Sequence, residues 1–95
     1  MIREADGRLY VSGPVTLENA MTLLEAGGRY LGRSKTVIDF SEVSEIDSVS
    51  VSLMLEWSRQ ARINGGEVRF ANLGEAIRSL THLYGVEDLI LIDAQ

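Results

Sequence analysis

The middle of the chain reads strand, helix, strand, and this order constrains the fold more than any other feature. Thr36-Val37-Ile38-Asp39-Phe40 is rich in β-branched and aromatic residues, which suit a pleated, half-buried surface. From Val49 to Ile63 the residues Val49, Leu53, Trp57 and Ala61 recur at a spacing of four, with Met54 and Leu55 widening the stripe. Glu56, Arg59, Gln60 and Arg62 mark the wetter face, so the segment is an amphipathic helix. Asn64-Gly65-Gly66 stops it, because glycine accepts the left-handed conformation of a helix C-cap. Glu67-Val68-Arg69-Phe70-Ala71 then alternates as a strand does. Two strands joined by one helix lie parallel through a right-handed crossover.

The flanks extend the pattern. Asp6-Gly7 between Ile2–Ala5 and Arg8–Ser12 is the signal for a tight hairpin, and Gly13-Pro14 is expected to break the second strand. Thr16 to Leu31 reads as a helix capped by Thr16, with Gly27-Gly28 weakening its last turn. Ser41 to Asp47 reads as a loop with two apolar anchors. A third helix runs from Glu75 to about Tyr84 with Gly85 as its C-cap, and Leu89-Ile90-Leu91-Ile92 reads as a last strand. The expected fold is α/β: one domain over residues 1–95, with a mostly parallel sheet of four to five strands, an N-terminal antiparallel hairpin and three main helices.

Composition removes several function classes. The formal net charge is −5, with Lys35 the only lysine and the arginines scattered. Nucleic-acid binding needs clustered cations, and anionic lipid heads need the same, so neither is expected. There is no cysteine, which removes disulfides, zinc thiolate sites and thiol catalysis. The first residues lack the apolar stretch of a signal peptide, and no apolar run reaches the roughly 18–20 residues of a membrane span. The expected location is the cytoplasm, with any association to the inner membrane made through a partner.

The specific signal lies between Val37 and Ser48. An apolar strand carries Asp39-Phe40-Ser41, and Ile46-Asp47-Ser48 opens an apolar helix. This resembles the signature of STAS domains, the family of sulfate-transporter tails and anti-sigma-factor antagonists, and the order of elements agrees over nearly the whole chain. The antagonists usually carry Gly two residues after the Ser or Thr, where this chain has Ser50. Leu80-Thr81-His82-Leu83-Tyr84-Gly85-Val86 followed by Leu89 is similar to the end of the small cytoplasmic STAS subunit of the bacterial phospholipid transporter Mla. That likeness implies a regulatory subunit, not an enzyme, that docks the ATPase of a phospholipid-transport ATP-binding-cassette complex. The wider family implies instead an anti-sigma-factor antagonist, switched by phosphorylation of Ser48 and partnered by a serine kinase.

Local chemistry supports a contact at this helix start. A helix N-terminus presents unpaired N–H groups and partial positive charge. Asp47 or Ser48 can cap it, and the same place can receive a partner's carbonyl or carboxylate. Six apolar residues within Val49–Trp57 exceed one stripe, so the helix is covered on two sides or an exposed part meets a partner. Val51, Met54 and Leu55 are the expected exposed members. The expected partner-binding set is therefore Asp47, Ser48, Ser50, Val51, Met54 and Leu55. His82 is the only histidine and is read as a surface or capping residue; a Ser48–His82 hydrolase has no Gly-x-Ser-x-Gly elbow to support it. Glu42, Glu45 and Asp47 lack the loop of a calcium site, and Gly27-Gly28 and Gly65-Gly66 lack the residues of a phosphate loop. No metal or cofactor is expected.

Overall fold

A computed structural model describes residues 1–93. Strands β1 (Ile2–Ala5), β2 (Arg8–Val15), β3 (Lys35–Ile46) and β4 (Glu67–Ala71) form one sheet in the order β1-β2-β3-β4. β1 runs antiparallel to β2; the other neighbours are parallel. Helices α1 (Ala20–Gly28), α2 (Val49–Ile63) and α3 (Glu75–Leu83) complete the α/β fold. No helix among the described residues is long and apolar enough to cross a membrane.

Local chemistry accounts for several boundaries. Asp6 and Gly7 both take positive φ, 54° and 78°, and close the β1–β2 hairpin with Ala5 opposite Arg8. α2 spans the expected residues, and Gly65 follows it at φ 81°. Gly85, at φ 69°, ends α3 after Tyr84.

Four expectations are corrected. Gly13-Pro14 does not end β2, which continues to Val15 because Gly13, Pro14 and Val15 pair with the far half of β3. The expected loop Ser41–Asp47 is for the same reason strand as far as Ile46. β3 accommodates an extra residue between the partners of Tyr10 and Ser12, and another between those of Gly13 and Pro14, so it is bulged twice. α1 begins only at Ala20, because the Asn19 side chain organises a turn before it. Its Oδ1 accepts the Thr16 N–H at 2.9 Å and its Nδ2 donates to the Pro14 carbonyl at 2.7 Å. The last strand is reduced to a single parallel bridge, Ile92 to Phe70, after a short 3₁₀ turn over Glu87–Leu89. There the Phe70 N–H donates to Leu91 O and the Asp93 N–H to Phe70 O, each at 2.9 Å.

One sheet face carries Leu9, Val11, Ile38, Phe40, Val68 and Phe70 into the core, where they meet Leu23, Leu53, Met54, Trp57 and Ile77. Phe40 and Phe70 meet edge to face with centroids 6.0 Å apart. Trp57 is fully buried, and its indole N–H donates to Leu24 O at 3.2 Å. Gly27 is what lets α1 approach it: a Cβ there would stand 2.7 Å from the indole ring. This glycine serves helix packing from inside the last turn of α1.

Strand alternation turns Arg8 and Asp39 to the opposite face. Asp39 is nevertheless buried, at 2% exposure. Its Oδ1 accepts the Ser41 N–H at 2.8 Å; its Oδ2 accepts from Arg8 Nη1 at 2.6 Å and Asn72 Nδ2 at 2.9 Å. Arg8 reaches on to Asp93 at 3.3 Å. One carboxylate thus ties β3 to β2 and to the residue that follows β4, and through Arg8 to the C-terminal segment. Burial alone would raise its pKa, but the bonds from Ser41, Asn72 and Arg8 together hold it below the ordinary carboxylate value.

Two outcomes are expected. Gly27→Ala gains helix propensity but drives a methyl into Trp57, and we expect a net loss of about 1–2 kcal/mol in urea unfolding. Asp39→Asn should cost about 1–3 kcal/mol at neutral pH. A depressed folded pKa gives stability that is present above the unfolded value of about 4 and is lost as pH falls through the folded value. The gap between wild type and Asp39→Asn should therefore shrink as unfolding is measured at decreasing pH below about 4.

Candidate functional site

At the end of β3 the chain turns sharply into α2, and Asp47 makes the turn. Its N–H donates to Val15 O at 3.2 Å, which closes the β2–β3 pairing. Its Oδ1 accepts the Val49 N–H at 2.9 Å, an Asx turn that caps the helix. Its Oδ2 accepts the Leu17 N–H at 3.0 Å, which fastens the loop leading into α1. Its carbonyl accepts the Ser50 N–H at 3.1 Å and the Ser50 hydroxyl at 2.8 Å. The Ser48 carbonyl accepts the Val51 N–H at 3.2 Å.

Asp47 is therefore the cap and Ser48 is not. Ser48 has helical backbone angles, makes no capping bond and is exposed. The N–H groups of Val49, Ser50 and Val51 already have partners within the chain. The expectation that these amides stand open to a partner's carbonyl or carboxylate is corrected: what is offered at this end is the Ser48 hydroxyl and the field of the helix.

The expected exposure of Val51 and Met54 is also corrected. Val51 is 4% exposed and Met54 0%, and Ser50 is buried with its hydroxyl turned back to Asp47. They support the site from within. The apolar excess is largely interior: Leu53, Met54, Trp57 and Ala61 join the main core, and Val51, also buried, lies in the wall of a depression it shares with Tyr84 and Val86. Leu55 stays half-buried at the surface.

A depression of about 300 Å³ opens beside Ser48, lined by Val51, Ser52, Leu55, Tyr84 and Val86. Ser52 also lines a second depression with Leu89 and Leu91, and a third with Met21 and Leu24. Met21 and Leu17, on the α1 side, are exposed. Residue-by-residue reading of the sequence missed Ser52, Tyr84 and Val86. Ser52 was detectable, one helical turn beyond Ser48. Tyr84 and Val86 were not, because only the packing of α3 against α2 brings them there.

The remaining candidates do not converge on a reaction centre. His82 is exposed, with Nδ1 2.9 Å from Glu87 Oε1. Glu42 pairs with Arg3 while Asp47 caps α2. No group of three metal-ligating side chains occurs among the described residues.

Asp47→Ala should cost about 1–2 kcal/mol, since it removes both the cap and the tether to Leu17. Hydrogen exchange should locate the loss at the amides of Val49 and Leu17, with β4 little changed.

Comparison with known proteins agrees with this architecture. The family model described as Mlab, STAS domain, matches residues 2–93. A putative anti-sigma factor antagonist from Thermotoga maritima superposes with a TM-score of 0.78 at 17% identity, over 100% of this chain and 86% of that one. The anti-sigma factor antagonist SpoIIAA in its unphosphorylated form gives 0.73 at 13% identity, over 100% and 88%. The phosphorylated form of the Bacillus cell fate determinant SpoIIAA gives 0.68 at 13% identity, over 100% and 91%. At these identities the structures show a shared fold. No curated protein sequence matches the chain. From the family match across its described length, the chain belongs to the MlaB-type STAS domain family.

Proposed function

We propose that this chain is a non-catalytic docking subunit that binds the ATPase of a phospholipid-transport ATP-binding-cassette complex through the face at the start of α2. The observation that carries the reading is the exposed Ser48, whose hydroxyl makes no capping bond, standing beside an apolar depression in a chain of the MlaB-type family. Ser48, Ser52 and Leu55 form the contact, with Tyr84 and Val86 as its second wall. Asp47 fixes the position of Ser48, while Ser50, Val51 and Met54 form the packed backing. Such a subunit works in the cytoplasm and reaches the inner membrane only through its partner.

A second reading is favoured by one observation. The fold is that of SpoIIAA, which is known in phosphorylated and unphosphorylated forms, and Ser48 offers an exposed hydroxyl at a helix start. In that reading the chain is an anti-sigma-factor antagonist, its partner is a serine kinase, and phosphate on Ser48 is the switch.

Titration of the wild type and of Ser48→Glu and Leu55→Arg against the purified transporter ATPase tests the first reading. Each variant should keep the wild-type circular dichroism and bind at least about tenfold more weakly, because each places a charge in a closed contact. Unchanged affinity in both would remove this face from the complex. Intact mass after incubation with an anti-sigma serine kinase and ATP separates the readings: one added phosphate, absent in Ser48→Ala, would favour the antagonist.

A further inference from the structure

β3 is longer than the strand beside it. Lys35–Asp39 pair with β4, but Ser41–Ile46 lie alongside β2 alone. β4 ends at Ala71, and Asn72, at φ 55°, turns the chain away toward α3. The β3–β4 pairing ends at Asp39 opposite Ala71, and among the described residues no strand pairs with Ser41–Ile46 on the side that β4 has vacated. The sheet therefore has an open edge in its interior half.

Where β4 would continue lies a trough of about 500 Å³, between this edge and the start of α3. Phe40, Val43, Ile46 and Ile77 give it an apolar floor; Ser44 and Glu45 stand on its rim. Open edges are commonly blunted by lysine, by proline or by a covering element. Between Phe40 and Asp47 there is neither lysine nor proline. The two bulges bend the strand but leave the trough uncovered.

The charge around the trough has one sign. Phe40–Asp47 and Asn72–Ile77 contain Glu42, Glu45, Asp47 and Glu75 and no cation. Glu42 is engaged by Arg3 and Asp47 by backbone N–H groups, whereas Glu45 and Glu75 are exposed and form no ion pair among the described residues.

We propose that the edge Ser41–Ile46 accepts, by strand addition, an extended segment of a partner protein in which apolar and basic residues alternate. Main-chain hydrogen bonds to β3 supply the binding, and alternate side chains supply the selectivity. The apolar set lies on Val43, Ile46 and Ile77; the Lys and Arg set faces Glu45 and Glu75. This site is separate from the Ser48 face and does not depend on the docking function proposed for it.

The test is a titration of the ¹⁵N-labelled chain with acetyl-Lys-Val-Lys-Ile-Lys-Val-Lys-amide. Two further versions of the peptide are N-methylated at alternate residues, one in each phase. The amides of Ser41–Ile46 should shift and become protected from exchange. A strand on one edge uses only every second N–H, so one methylated peptide should bind as the parent does and the other at least about tenfold more weakly. Glu45→Lys, a surface change, should weaken the parent peptide by about tenfold at low salt. The proposal is overturned by equal binding of the two methylated peptides, by shifts confined to Ser48–Leu55, or by no shift at millimolar peptide. It is also overturned if the edge instead pairs with a second copy of the chain, seen as concentration-dependent self-association that the peptide does not reverse.

Discussion

Both oxygens of the Asp47 carboxylate are bound to backbone N–H groups, one at the start of α2 and one in the segment before α1. The same residue's N–H closes the β2–β3 ladder at Val15. Three segments therefore meet on one residue, two through its carboxylate and one through its N–H, and the direction in which α2 leaves the sheet follows from it. Because Asp47 does the capping, Ser48 is released from that duty and faces outward. A serine in the cap position itself would turn its hydroxyl onto the helix amides and present little to a partner. The exposure of Ser48 thus depends on its neighbour.

The same helix carries the core and the candidate contact, and the two are kept on separate stripes. Leu53, Trp57 and Ala61 are buried at a spacing of four. Ser48, Ser52, Leu55 and Arg59 follow one another at spacings of three and four on the accessible side. Trp57 makes the inner stripe intolerant of change, since Gly27 and the Leu24 carbonyl are fitted to it. Substitutions on the outer stripe, by contrast, do not open cavities. For a chain of 95 residues this separation matters, because a domain of this size has little stability to lose.

The parts legible in the sequence are those set by short-range chemistry. Asp6-Gly7 fixes its hairpin because both turn positions need positive φ, and Val49–Ile63 is bounded by an Asx cap and a glycine stop. Ser41–Ile46 was not legible as strand, because two bulges destroy the period of two and its pairing with β2 is a long-range event. The Asn19 turn was hidden for a different reason: Thr16 and Asn19 are both good caps, and the choice is made by the Pro14 carbonyl. In α2 the excess of apolar residues allowed two readings, a second covering element or an exposed patch. Val51 and Met54 are buried, and for Leu55 part of the patch remains. Periodicity measures how much of a helix is apolar, not which neighbours will arrive to cover it.

The amides at the start of α2 bear on how a charge at Ser48 would act. Phosphate stabilises a helix end best when free N–H groups can bind it. Here the N–H groups of Val49, Ser50 and Val51 are occupied, and the Asp47 carboxylate lies beside the site. A phosphate of charge about −1.5 to −2 would keep the favourable helix field but gain no amide from the first turn, and it would meet the Asp47 charge nearby. Its effect on the chain itself is therefore small. Its effect on a partner closed over Leu55, Tyr84 and Val86 is large, because that contact would have to desolvate the added charge without pairing it. In either proposed reading of the function, negative charge at Ser48 would act by expelling a partner and not by reshaping the helix.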